Sequence, residues 1–198
     1  MQIHFKNQQK SDRLLDLTHP NIMGILNFTP DSFSDSGKFF SLDKALFQVE
    51  KMLNDGADII DIGGESTRPN AETVTVSQEI ERVVPLVEAV RSRFDCLISV
   101  DSSKAEVFRE SAKAGADILN DIRALTEPNA LETAAELDLP VCIMHMQGSP
   151  QTMQQAPHYE DVVEEVADFL NHRILECTLA GIPKEHIILD VGFGFGKT

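Results

Sequence analysis

The chain has 198 residues, 42% of them hydrophobic, with 17 basic and 32 acidic side chains and a formal net charge of −15. That is enough apolar material for one sizeable core and too much for a disordered chain. The acidic balance excludes a general nucleic-acid binder and argues against an anionic lipid surface, because no basic excess is left to meet a run of phosphates; a local anion site inside a cleft stays open.

Met1 to Lys10 is polar and lacks the apolar stretch of a signal peptide, and no apolar run approaches the roughly 20 residues that span a bilayer. The first strand is predicted at Ile22–Leu26. A helix follows from about Ser41, read as its N-cap, to the stop at Gly56, with Leu42, Ala45, Leu46, Val49 and Leu53 at the spacing of a buried stripe. Ile59–Ile62 is the second strand. The next helix, about Ser77 to Arg93, carries Ile80, Val83, Val84, Val87 and Val90 on one side, and Pro85 inside it marks a kink or a late start. Strands at Cys96–Val100, Ile118–Leu119, Val141–Met144 and Ile187–Leu189 alternate with helices at about Lys104 to Gly115, Asn129 to Leu137 and Tyr159 to Gly181.

Short Ile/Val/Leu-rich runs alternating with helices predict a parallel α/β fold, as an open sheet or a closed barrel. An internal echo supports a repeated unit: Asp55-Gly56-Ala57-Asp58-Ile59-Ile60 resembles Ala114-Gly115-Ala116-Asp117-Ile118-Leu119. No linker or low-complexity segment divides the chain. With six strands and no helix after the last, the pattern predicts a barrel that lacks its final units, or an open sheet lacking its last helix. Cys96, Cys142 and Cys177 are scattered, without metal-ligand spacing, and read as small buried hydrophobes in a reducing cytosol.

Polar residues gather where the strands end: Asn27, Asp61, Asp101, Asn120 and Asp121, His145, and Asp190. In parallel α/β folds ligands bind at that edge. Asp101, Asn120 and Asp190 together suit the N–H-rich edge of a planar, guanidine-like heterocycle. The loops 27–37 and 63–70 mix aromatic, hydroxyl and carboxylate groups with Arg68, whose planar fork of donors suits phosphate. Gly192-Phe193-Gly194-Phe195-Gly196-Lys197-Thr198 fails as a phosphate-binding loop, since Val191 stands where that motif needs glycine. It reads instead as a glycine-rich strand end with Phe193 or Phe195 as an aromatic wall. His145 is either a site residue or a hydrogen-bonded core histidine.

Residues 24–35, GILNFTPDSFSD, resemble the first signature of the dihydropteroate synthases, and Asp61-Ile62-Gly63-Gly64-Glu65-Ser66-Thr67-Arg68-Pro69 is similar to the second. Ile98–Asp101, Asn120–Arg123, Met144–Gly148 and Gly192–Lys197 match further family segments in the family's order. The resemblance implies a (β/α)8 TIM barrel with about six of its strands here, residues 1–198 forming one pterin-binding domain incomplete at its C-terminus. It implies condensation of 4-aminobenzoate with (7,8-dihydropterin-6-yl)methyl diphosphate, using Mg2+, to give 7,8-dihydropteroate and pyrophosphate in folate biosynthesis, with sulfonamides competing for the aminobenzoate site. On the matching positions, Asp101, Asn120 and Asp190 would hold the pterin, with Ile122 and Met144 packing near it. Asn27 would serve the metal and diphosphate. Thr67, Arg68 and Pro69 would belong to the second loop, and Phe33, Gly194 and Phe195 would lie near the aminobenzoate. Asn27, Arg68 and Asp101 are the expected catalytic groups.

A cytoplasmic enzyme, homodimeric at full length, is implied. Val191, Ser36 and Asn70 depart from the family's usual proline and glycines. The family's lysine-serine-arginine-lysine-type segment and arginine–histidine pair are absent, so 198 residues alone would be inactive and incompletely folded. The alternatives are a pterin-binding module without synthase activity and a pterin-dependent methyltransferase-like barrel, which the Ser-Thr-Arg-Pro sequence disfavours.

Overall fold

The computed structural model describes residues 1–29, 37–66, 73–150 and 152–197, with backbone only for 37–41. It begins with an antiparallel hairpin, β1 (Gln2–Lys6) and β2 (Asp12–Asp16), that the sequence reading did not expect. The six expected strands follow as β3 (Met23–Asn27), β4 (Ile59–Gly63), β5 (Leu97–Asp101), β6 (Ile118–Asp121), β7 (Val141–Met144) and β8 (Ile187–Asp190). They form one parallel sheet in chain order, with β3 and β8 at its edges. This is the strand–helix succession of a TIM barrel. The helices are α1 (Gly37–Asn54), α2 (Val76–Arg93), α3 (Ala105–Ala114), α4 (Ala130–Leu137) and α5 (Val162–Leu179).

Two details correct the sequence reading. Helix α1 starts at Gly37, so Ser41 lies inside it and is not its N-cap. Helix α2 starts at Val76 and runs through Pro85, so the proline marks no late start. A capping box fixes that start: Thr75 Oγ1 accepts from Gln78 N, and the Gln78 side chain accepts from Thr75 N.

Alternation along each strand sorts the side chains. Leu26, Ile60, Ile62, Ile98 and Val100 share one buried cluster with Leu46 and Val49 of α1 and Val83, Val87 and Val90 of α2. Asp61, Ser99, Asp101 and Asn120 take the other face. The hairpin adds Ile3, Phe5 and Leu15 to a second cluster with Ile59, Ile118, Val141 and Phe108. Its residues are bonded to the N-terminal side of the sheet. Gln8 Nε2 donates to Leu137 O (3.0 Å) and Gln9 Nε2 to Ala114 O (3.0 Å). The fully buried Asp117 carboxylate accepts from Asn7 Nδ2 (3.0 Å) and Ile98 N (3.0 Å) and is ion-paired with Arg13 (3.3 Å) and Arg91.

The internal echo has a structural meaning. Asp58 N donates to Ile22 O (2.8 Å) while its Oδ2 accepts from Ile22 N (2.8 Å). Asp117 N donates to Ile98 O (2.8 Å) while its Oδ2 accepts from Ile98 N (3.0 Å). Each aspartate therefore locks its strand to the preceding one by the same pair of bonds.

Candidate active site

The register sets one level of side chains at the C-terminal ends of the strands. Asn27 pairs with Gly63, Gly63 with Asp101, Asp101 with Asn120, and Asn120 with Cys142. Paired positions point to the same face, so these groups stand side by side. Gly63 opens the row: a Cβ there would lie 3.1 Å from Asn27 Oδ1 and 3.5 Å from Asp101 Oδ2. The missing side chain leaves the space that both oxygens face. Met144 and Asp190, paired with each other, stand two residues further along β7 and β8 on that same face.

Beneath the row, Asp61 is buried and accepts from Asn120 Nδ2 at 3.2 Å. The buried Ser99 hydroxyl lies beside it. Burial pushes the Asp61 carboxyl above the usual carboxylate range, against the pull of Ser99 and Asn120 beside it. Asp101 is held well above that range, by burial first and then by the charges of Asp61, Asp121 and Glu79; Arg123 opposes the shift. The Cys142 thiol is pushed up to about 12, by burial first and then by Asp190, Asp61, Asp101 and Asp121. Asp61, Asp101 and Asp190 share the inward face with Cys142, whereas Asp121 points to the other face of β6. Such a concentration of acceptors with little cationic relief favours a ligand that supplies N–H donors.

Two side structures support the row. On β6 the buried Asp121 accepts from Ser103 Oγ, from Arg123 N (2.8 Å) and from Leu125 N (2.8 Å), and it folds the loop after the strand. Burial raises its carboxyl despite these bonds. On β8, Asp190 Oδ1 accepts from Gly192 N (2.7 Å) and Asp190 O from His145 N (3.0 Å). The loop after β8 lies against the loop after β7: Tyr159 Oη donates to Gly196 O (2.6 Å), and Lys197 Nζ lies 3.0 Å from His145 Nδ1.

A model of the family described as "Pterin binding enzyme" matches residues 23–198. A dihydropteroate synthase of Haemophilus influenzae is 70% identical over 188 residues, covering 95% of this chain and 68% of that protein. The chain belongs to the dihydropteroate synthase family. The synthase of Escherichia coli K12 is 61% identical over 92% of this chain and 65% of its own length. The chain thus spans about two thirds of the length of these synthases. A Yersinia pestis dihydropteroate synthase solved with a sulfonamide drug complex superposes with a TM-score of 0.89 at 54% identity, covering 99% of this chain and 70% of that one. A Xanthomonas albilineans dihydropteroate synthase solved with 4-aminobenzoic acid superposes at 0.87 and 46% identity, covering 94% and 66%.

Of the residues expected from a synthase, Asn27, Asp101, Asn120 and Met144 share the inward face, and Asp190 joins them from β8. Ile122 is buried and lines a cleft with Asp101, Ser66, Ser102, Arg123 and Pro150. Gly194 is exposed and Phe195 half-buried, while Phe193 is 87% exposed and walls nothing. Phe33, Thr67, Arg68 and Pro69 lie outside the described residues. His145 is buried, packed edge-on against Phe169 at 5.0 Å and 3.0 Å from Lys197 Nζ. Burial and then the Lys197 charge hold its imidazole below the ordinary value. Sequence reasoning overlooked two features. Cys142 faces inward, which the alternation of Val141 and Ile143 around it could have shown. Lys104 joins Glu65 to Glu79, which no local pattern shows.

Proposed function

We propose that this chain carries the pterin-binding face of a dihydropteroate synthase, which condenses 4-aminobenzoate with (7,8-dihydropterin-6-yl)methyl diphosphate and releases pyrophosphate. The observation that carries the reading is the row Asn27, Gly63, Asp101, Asn120 with Asp61 buried beneath it. Asn120 uses one of its two Nδ2 hydrogens on Asp61, which leaves its Oδ1 and one N–H for a ligand. The row thus presents oxygens of Asp101, Asn120 and Asp190 to the N–H edge of the pterin. Ile122 and Met144 supply apolar contact, and Gly194 and Phe195 line the side the aminobenzoate would enter. Thr67, Arg68, Pro69 and Phe33 complete the assignment, Arg68 as a cation for the departing diphosphate.

Departure of diphosphate, followed by attack of the arylamine nitrogen on the pterin methylene carbon, needs no protein nucleophile. The Cys142 thiol, the sulfur beside Asn120 in the row, is raised too far to supply a thiolate. Catalysis then rests on orientation and on charge stabilisation.

Asn27 Oδ1 is a hard oxygen donor, suited to a Mg2+ ion that takes its other ligands from diphosphate and water. Among the described residues no group of three or more His, Cys, Asp or Glu is placed to hold a metal by itself. When bound, the ion would neutralise charge on the leaving diphosphate. A cytoplasmic location and a homodimer at full length complete the proposal.

The test is pyrophosphate release from the two substrates with magnesium. It is run on the chain alone and on a chimera continuing it with the C-terminal part of the Haemophilus influenzae relative. Release by the chimera, abolished by Asp101→Ala, supports the reading. Pterin binding without release would favour a binding module, and no binding at all would end the proposal.

A further inference from the structure

The start of the second loop is anchored by charges that the row above does not use. Lys104, the residue before α3, places its Nζ 2.5 Å from Glu65 Oε2 and also on Glu79 Oε2. Glu65 follows the end of β4 by two residues, and Glu79 sits in the first turn of α2. Glu79 is 1% exposed, and its Oε1 has no hydrogen-bond partner. Arg82, one turn further along α2, donates from Nη1 to Gly64 O at 2.9 Å. Two cations from two different helices therefore hold two successive residues of the chain as it leaves β4. Burial works against the Lys104 charge, but its bonds to Glu65 and Glu79 outweigh that and raise its pKa. Glu65 and Ser66 line the cleft that also contains Asp101. Lys104 itself follows Asp101 by three residues, and its N donates to Ser102 Oγ at 3.2 Å.

We propose that Lys104 is a positioning residue: by bridging Glu65 to the buried Glu79 it fixes where the chain leaving β4 enters the cleft beside Asp101, and so sets how that cleft receives the dihydropterin diphosphate. The inference rests on the synthase reading. The pterin contacts assigned to Asp101 and Asn120 are carried by β5 and β6 and do not depend on the bridge. Lys104 touches no substrate in this account. Its effect is geometric, and the strength of a contact made from a shifted backbone falls steeply with displacement.

A purely structural role makes a different prediction. If Lys104 only neutralises Glu79, loss of its bond to Glu65 should leave KM unchanged, because the ion pair with Glu79 remains. The variants are Glu65→Gln, which removes one arm of the bridge and leaves Lys104 paired with Glu79, and Lys104→Arg as the conservative rescue. Lys104→Met is set beside Lys104→Met/Glu79→Gln, which removes the stranded charge.

In the chimera described above, Glu65→Gln should raise KM for the dihydropterin diphosphate about tenfold, with kcat and the affinity for a pterin lacking the diphosphate, measured by calorimetry, nearly unchanged. In the chain itself, amide exchange at residues 64–66 should accelerate in Glu65→Gln while the melting temperature stays put. Lys104→Arg should retain most of the wild-type KM, and the double variant should recover stability without recovering KM. Unchanged KM and unchanged exchange in Glu65→Gln would overturn the proposal, as would a double variant that restores KM together with stability. Failure of the wild-type chimera to release pyrophosphate is a separate result, which removes the synthase reading and this inference with it.

Discussion

Gly192→Ala tests the junction of the two loops that carry Asp190. Gly192 has φ +69°, and a Cβ added there would lie 2.0 Å from His145 O and 3.2 Å from Lys197 Nζ. A carbon approaches a carbonyl oxygen no closer than about 3.3 Å without repulsion, so the two loops must separate by more than about 1 Å. The left-handed backbone costs about 1–2 kcal/mol for any residue with a Cβ. Separation also endangers the bonds from His145 N to Asp190 O, from Gly192 N to Asp190 Oδ1 and from Phe195 N to Gly192 O. Losing two of them adds about 2 kcal/mol. The total is about 3–4 kcal/mol, or roughly a 10 °C fall in melting temperature for a chain of this size.

Gly194 is the control. It also has a positive φ, +83°, but a Cβ there meets nothing within 4 Å. Gly194→Ala should cost only the backbone strain, about 1–2 kcal/mol. Thermal unfolding of the two variants, followed by circular dichroism, isolates the clash. If they melt within about 2 °C of each other, the close packing of the two loops is wrong.

Asp117→Ala should cost about 3–5 kcal/mol in urea unfolding, because it strands Arg13 and Arg91, whose side chains are 15% and 10% exposed; a loss below about 1 kcal/mol would refute the clamp. Asp61, Asp101 and Asp121 all have carboxyls raised by burial, so the folded chain keeps protons that the unfolded chain has released. Stability should therefore fall as pH rises from the ordinary carboxylate value through the raised ones, and Asp101→Asn should flatten that slope. Pterin affinity should run the other way, weakening on acidification as Asp101 gains its proton; a titration at several pH values that showed no such loss would contradict its role as an acceptor. Cys142, with its thiol near 12, should resist alkylation in the folded chain, since only about one molecule in 10,000 carries the thiolate at about pH 8. Its rapid labelling under native conditions, read by mass spectrometry, would show that the inward placement is incorrect.

The sheet was legible because its strands are short runs rich in Ile, Val and Leu, the four central ones mostly buried, and such runs survive changes of context. The aspartates of the internal echo were legible as a pattern, but not as locks on Ile22 and Ile98, since that bond depends on register. The hairpin escaped notice although Gln2-Ile3-His4-Phe5-Lys6 alternates exposed and buried residues in period two. Its polar composition masked a signal that only becomes a strand once Ile3 and Phe5 have a core to face. The start of α1 was misplaced because Ser41 has the chemistry of a cap, whereas the helix already runs from Gly37. At the candidate site, the strand-end residues could be named from sequence because each ends an apolar run. Lys104 could not, because its partners come from positions 39 and 25 residues away.

Asp117 serves several partners at once, and that has an evolutionary consequence. Replacing any single member of the set Asn7, Arg13, Arg91 and Asp117 leaves the others mismatched around a position where the carboxylate is fully buried. Drift at these four positions should therefore be correlated, with descendants either keeping the whole set or exchanging it together. The opposite rim, freed from holding the molecule together, is where lineages can experiment with their chemistry.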